Sequence, residues 1–162
     1  MKIKALVMDV DGTLTDGGIY MGEKGEVMKR FDVKDGYAIH NMLPQMGIIP
    51  IIITGRTSQI VLNRCKELGI KNVVQGSKNK IEDMVKILAQ ERIDLSETAY
   101  IGDDMNDYEC MQMVGLRGCP RDAVSKIKEI SECITESSGG NGAVREFIDW
   151  INQIYCEGEM IR

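Results

Sequence analysis

With 162 residues, 43 % of them hydrophobic, the chain is long enough for one core that needs no disulfide or metal staple. Its formal net charge of −5 and pI near 5.0 argue against a sequence-independent grip on nucleic acid or on an anionic membrane, since both need clustered positive charge. Five cysteines, an odd number with no C-x-x-C pair, fit free thiols in a reducing cytoplasm, and neither Cys110 nor Cys119 is given a catalytic role.

In chain order, residues 3–10 form a short apolar stretch that carries Lys4 and runs into acidic residues. It is too short and too charged for a signal peptide or a spanning helix, so a cytoplasmic location is expected. A first strand is predicted over 4–9. Residues 15–31 read as a β-hairpin, with β-prone pieces at 17–21 and 26–31 around the turn-like Gly22-Glu23-Lys24-Gly25. Helices are then predicted at 35–46, 58–68, 79–90, 107–114, 123–130 and 143–155. Strands fall between them at 48–53, 72–75 and 98–102, with a weaker one near 115–117. In the helix at 58–68, Ile60, Val61, Cys65 and Leu68 recur at spacings that put them on one face. Such alternation is the signature of an α/β fold, a parallel sheet with crossover helices, here with a hairpin inserted after the first strand. No linker separates two units, so residues 1–162 are expected to form one domain, with 137–142 as a loop before the last helix.

Two strands run into paired carboxylates. Asp9-Val10-Asp11-Gly12-Thr13-Leu14-Thr15 follows the first, and Gly102-Asp103-Asp104-Met105-Asn106-Asp107 follows Ala99-Tyr100-Ile101. In open α/β sheets the ligand crevice lies outside the carboxyl ends of the strands, so both clusters are delivered to the same edge. Like charges this close need a cation or a proton, and oxygen-rich acidic sites suit Mg2+. Between them Ile51-Ile52-Ile53 ends in Thr54-Gly55-Arg56, where a hydroxyl and accessible backbone N–H groups could hold a phosphate. Lys80, opening a helix, could add a point charge.

In this order D-x-D-G-T-x-T, the strand-terminal Thr54, Lys80 and G-D-D-x-x-D match the four motifs of the haloacid dehalogenase (HAD) superfamily, and the chain resembles it over nearly its whole length. That resemblance implies a three-layer Rossmann-like fold. It also implies that Asp9 is a nucleophile forming an aspartyl-phosphate and that Asp11 is the proton carrier. Thr54 and Lys80 would hold the phosphoryl group, while Asp9, the backbone carbonyl of Asp11 and Asp103 would bind Mg2+. Asp104 or Asp107 could tune the metal from outside its ligand set. The stretches between the motifs leave no room for a cap domain. A capless site would be wet, so neighbouring subunits are expected to cover it, using the 15–31 hairpin.

Further residues resemble the capless, tetrameric 3-deoxy-D-manno-octulosonate 8-phosphate phosphatases. They are Asp16-Gly17-Gly18, Phe31-Asp32-Val33-Lys34-Asp35-Gly36-Tyr37-Ala38-Ile39, Arg56, Arg64, Gln75-Gly76 and the run 139–146. The resemblance implies a homotetramer acting on a small sugar-acid phosphate. It implies substrate contacts at Asp32, Val33, Lys34, Asp35 and Gly36, and at Arg56, Arg64 and the position of His40, besides Asp11 and Lys80. Arginine suits a sugar-acid carboxylate, which its fork can bind bidentately. Phosphatases of nine-carbon sugar 9-phosphates are close relatives that tend to carry Glu where Arg56 stands. Thr13 and His40 depart from the octulosonate pattern, which usually has Val and a permanent cation there. The 139–142 run could pass beside a neighbour's active site or be an ordinary helix-entry turn. A nine-carbon substrate is the alternative within the class. A non-catalytic HAD-like subunit of a sugar-activation system is the alternative outside it, and the complete set of Asp9, Asp11, Thr54, Lys80 and Asp103 argues against that.

Overall fold

The structure is a computed structural model that describes residues 2–160, with side-chain surroundings for 2–154. Six strands form one sheet: β1 (Ala5–Met8), β4 (Ile49–Ile53), β5 (Asn72–Val74), β6 (Thr98–Ile101), β7 (Leu116–Cys119) and β8 (Cys133–Ile134). Their spatial order is β5-β4-β1-β6-β7-β8, and every pairing is parallel. Strand order therefore reverses at β1, between β4 and β6. In a doubly wound sheet that reversal opens the ligand crevice.

The central strands β1 and β4 are apolar because both faces are covered. Leu6, Met8, Ile52 and Ile101 point into one core with Ala38 and Ile39, which follow helix α1 (Val33–Tyr37), and with helices α2 (Leu43–Met46), α3 (Gln59–Leu68) and α7 (Ala143–Met160). Ala5, Val7, Ile51, Ile53 and Tyr100 point into the other, against α4 (Lys80–Glu91), α5 (Tyr108–Met113) and α6 (Ser125–Ile130). This is the expected three-layer arrangement with helices on both faces. On α3 the predicted stripe packs inward, with Val61, Cys65 and Leu68 buried.

Two short elements escape the sequence pattern. The helix predicted over 35–46 runs from Val33 but widens into a π turn at Ala38–Met42, where the Leu43 N–H reaches back to the Ala38 carbonyl. Pro44 lacks the N–H that a regular turn would need there, so the ladder opens before α2 resumes. β8 is two residues long and continues the sheet through Gly118↔Cys133 and Cys119↔Ile134.

The inserted hairpin pairs β2 (Tyr20–Gly22) with β3 (Gly25–Met28), antiparallel around Glu23-Lys24, with an irregularity between Tyr20 and Met21. Its exposure pattern is inverted: Met21, Val27 and Met28 are exposed, whereas the Lys29 side chain is 1 % exposed. Among the described residues no helix is long and apolar enough to cross a membrane.

Candidate active site

β1 delivers Asp9 to the crevice. Its N–H donates to the Ile101 carbonyl at 3.2 Å, and the chain then turns tightly, with the N–H groups of Thr13, Leu14 and Thr15 all donating to the Val10 carbonyl. Registers Met8↔Ile52 and Met8↔Ile101 bring Thr54 and Asp103, each just past its strand, to the same edge as Asp9. Gly12, at φ +92°, completes the turn, and a Cβ there would collide with the Asp103 carboxylate.

Asp9 is 4 % exposed, and its Oδ1 accepts from the Lys80 Nζ at 2.8 Å. Lys80 is the first residue of α4, and the Asn79 side chain caps that helix by accepting the Glu82 N–H. The same amine donates to Asp107 Oδ1 at 2.7 Å, an oxygen that also accepts from the Tyr100 hydroxyl at 2.7 Å. Asp107 Oδ2 takes the backbone N–H groups of Asp103 and Asp104 at 3.2 and 3.4 Å. Both oxygens of Asp107 are thus engaged in holding Lys80 and shaping the loop. Asp104 bonds the Met105 N–H and opens a 3-10 turn.

Carboxylate oxygens of Asp9, Asp103 and Asp107 lie within 4.8 Å of one another. Burial first, then the charge of Asp107, pushes Asp9 up to about 6 against the pull of Lys80. Burial and then the charge of Asp9 push Asp103 up to about 8, although the Thr13 hydroxyl donates to its Oδ1 at 2.9 Å. Burial works against the charge of Lys80, but Asp9 and Asp107 outweigh it and hold its pKa above the usual lysine value. One amine, shared between Asp9 and Asp107, is the positive charge among three clustered carboxylates, so the group of Asp9, Asp103 and Asp107 is short of positive charge. An all-oxygen set of this kind fits a hard divalent cation.

Asp11 stands on the hairpin side of the crevice. Its Oδ1 accepts from the Lys29 Nζ, which also bonds Glu26 Oε2 at 3.0 Å, and Arg56 Nε lies 3.9 Å from its Oδ2. Glu26 and Lys29 are not among the site residues expected from the sequence. The available signal was two charges inside a β-prone hairpin whose neighbouring apolar residues turn outward. Tyr100, one aromatic in an otherwise aliphatic strand, was a comparable hint.

The 139–142 loop folds over the turn that follows Asp9 in its own chain. The Gly140 N–H donates to the Thr13 carbonyl at 3.1 Å, and a Cβ on Gly139 would strike the Gly12 carbonyl. Arg30 ties the loop down through the Gly140 carbonyl at 2.8 Å.

The predicted substrate set divides in two. Asp11, Arg56 and Lys80 surround the Asp9 centre. Asp32, Gly36 and Arg64 are joined instead to one another: Arg64 lies 5.6 Å over the Phe31 ring, donates to the Asp32 carbonyl at 3.4 Å, and packs where a Gly36 Cβ would be. Val33 and Lys34 are exposed on α1. His40 departs furthest from the expectation. Its Nδ1 is 3.1 Å from the Leu68 carbonyl at the C-terminal end of α3, the end directed away from the strand termini.

Asp35 is 1 % exposed, so within one chain it is inaccessible to a substrate. Its Oδ1 accepts the Arg145 N–H at 2.8 Å at the start of α7, while Oδ2 is buried without a partner. Burial is the main cause that pushes this carboxyl up to about 6 from 3.8. A carboxyl that binds its proton more readily folded than unfolded favours folding at low pH, and that contribution fades as pH rises through the folded value. Between about pH 4 and 6.5 the parent should therefore lose on the order of 2–3 kcal/mol of stability relative to Asp35→Asn. Urea titrations of both proteins at the two pH values check this. A stability difference independent of pH would contradict it.

The comparisons agree with this geometry. A family model described as haloacid dehalogenase-like hydrolase matches residues 72–148. The 3-deoxy-D-manno-octulosonate 8-phosphate phosphatase KdsC of Escherichia coli K12 is 42 % identical over 148 residues, 91 % of this chain and 78 % of that protein. The chain belongs to this family of HAD-like hydrolases. Among solved structures, the Moraxella catarrhalis 3-deoxy-D-manno-octulosonate 8-phosphate phosphatase, in complex with magnesium, phosphate and KDO, is 38 % identical. It has a TM-score of 0.88, with 99 % of this chain and 94 % of that one covered. The cobalt-bound Haemophilus influenzae phosphatase is 35 % identical with a TM-score of 0.89, covering 94 % and 88 %.

Proposed function

We propose that the chain is a magnesium-dependent phosphohydrolase that releases phosphate from 3-deoxy-D-manno-octulosonate 8-phosphate through an aspartyl-phosphate on Asp9. The observation that carries this reading is the buried Asp9 carboxylate, 2.8 Å from Lys80 at the reversal of strand order, with a second carboxylate, Asp11, on a separate mount. Asp9 is buried with Lys80 at its Oδ1, and Asp11 has a different amine, Lys29, at its own Oδ1, so the two carboxylates are held by separate cations.

In the first displacement an Asp9 oxygen bonds to phosphorus, the bond to the sugar oxygen breaks, and Asp11 gives that oxygen a proton. In the second, water adds to phosphorus, Asp11 takes its proton, and the Asp9–phosphorus bond breaks to release phosphate. Lys80 and Thr54 hold the phosphoryl oxygens during both. Asp9, Asp103 and the backbone carbonyl of Asp11 would hold Mg2+, which offsets charge on the transferring group when bound.

Arg56, half exposed beside Asp11, is positioned to meet the sugar-acid carboxylate. The reading includes a single capless unit in the cytoplasm, assembled as a homotetramer in which neighbours cover each site. Supporting the assembly are Met21, Val27 and Met28, exposed apolar side chains of the hairpin that a second copy could bury. Asp32, Val33, Lys34, Gly36 and Arg64 would then act across that contact. Phosphate release from the eight-carbon 8-phosphate and from a nine-carbon 3-deoxy-ulosonate 9-phosphate tests the substrate. The eight-carbon ester should be preferred, and Arg56→Glu should reduce its kcat/KM by roughly 10²-fold while affecting the nine-carbon ester less. An unchanged preference in Arg56→Glu would count against the assignment.

A further inference from the structure

We propose that Lys29, carried by the hairpin, is the positioning residue for the Asp11 carboxylate, and that it makes Asp11 Oδ2 the oxygen that moves the proton. This rests on the reading of Asp11 as the acid and base of the reaction.

The Lys29 side chain is 1 % exposed, unlike a lysine lying on a solvated surface. A buried ammonium must be paired, and its partners here are Asp11 Oδ1 and Glu26 Oε2. Arg56 closes the group, with Nη2 3.5 Å from Glu26 and Nε 3.9 Å from Asp11 Oδ2. Two cations and two anions thus meet at the crevice wall. Three of the four side chains are at most 18 % exposed, and only Arg56, at 48 %, faces solvent.

Glu26 lies within β3 and Lys29 one residue beyond its end. Leaving the strand geometry after Met28 is what lets Glu26 and Lys29, of opposite parity, meet on one side, where the amine of Lys29 also reaches Asp11. Val27 and Met28, within β3, are exposed. The hairpin therefore has a second role besides any contact with another copy: it brings a fixed amine to the proton carrier of its own chain.

With Oδ1 engaged by Lys29, Asp11 is held in one rotamer and only Oδ2 remains for exchange with the leaving oxygen and with water. Arg56, at 3.9 Å from Oδ2, is close enough to bring a bound sugar acid to that atom without occupying it. Removing Lys29 frees the carboxylate to rotate and leaves Glu26 beside it, an anion next to an anion.

The test compares kcat/KM for an alkyl ester, 3-deoxy-D-manno-octulosonate 8-phosphate, with that for an aryl ester, p-nitrophenyl phosphate. The first must receive a proton as it leaves and the second needs none. Lys29→Met should lower kcat/KM about 10²-fold on the alkyl ester and less than about fivefold on the aryl ester. Lys29→Gln carries the same expectation and provides a second variant should the first fail to fold. Lys29→Arg, which keeps the charge, should recover at least about tenfold of the alkyl loss. Equal losses on both esters would mean that Lys29 only supports the hairpin, and would overturn its positioning role. Asp11→Asn, run alongside, should show the same dependence on the ester. Full activity of Asp11→Asn on the alkyl ester would overturn the acid–base reading itself and the role of Lys29 with it.

Discussion

Asp9→Asn should fold as well as the parent and lose at least about 10⁴-fold in phosphate release. An amide has the shape of the carboxylate without its nucleophilic oxygen, so the substitution removes the first displacement while keeping the packing around β1. Its effect on stability follows from the same environment. Burial and the nearby Asp107 already press Asp9 toward its protonated form, up to about 6. A neutral side chain relieves that pressure, and Lys80 keeps its bond to Asp107 at 2.7 Å. In a chelator, thermal unfolding of Asp9→Asn should therefore begin no lower than that of the parent. A variant that is inactive because it has unfolded would not meet this expectation, and neither would a folded variant with full activity.

Lys80→Met should be damaging in both respects. Lys80 is the counter-charge shared by Asp9 and Asp107, and its side chain is 6 % exposed. Removing one partner from a buried ionic group leaves the others uncompensated, at a cost of about 3–5 kcal/mol. Loss of a fixed cation at the transferring phosphoryl group should lower kcat by roughly 10²–10³-fold as well. A divalent cation at Asp9 and Asp103 would supply part of the missing charge, so the stability deficit should shrink in Mg2+, as read by urea titration with and without the metal. A deficit that ignores Mg2+ would argue against a cation site beside Lys80. Loss of activity with unchanged stability would argue against the shared ion pair.

The central strands were legible because β1, β4 and β6 are buried on both faces and so read as unbroken apolar runs. The residues just past them were legible because a strand end in an open sheet points at the crevice. The clusters that hold Asp9, Thr54 and Asp103 could thus be located from the strand ends, and the resemblance picked those three residues out of them. What could not be read depends on contacts between distant segments. Asp35 sits in a stretch that reads as polar and accessible, yet the start of α7 covers it, 110 positions along the chain. His40 faces the last turn of α3, a contact fixed by how two helices cross. Lys29 and Glu26 were hidden for a different reason: which hairpin residues turn inward depends on where β3 ends, and alternation alone does not give that point. β8, two residues long, is too short to carry any period and exists because β7 offers it an edge. The run at 139–142 left two readings open, and the close fit of Gly139 and Gly140 to Gly12 and Thr15 shows the loop packed on its own chain's turn after Asp9.

The most direct test of the account is the covalent intermediate. Enzyme quenched in acid during turnover of 3-deoxy-D-manno-octulosonate 8-phosphate with Mg2+, then reduced with borohydride and digested, should yield a peptide in which Asp9 has become homoserine. The reduced product should be absent when substrate is omitted. Steady release of phosphate with no modification at Asp9, or with the modification at Asp11 or Asp103 instead, would contradict it.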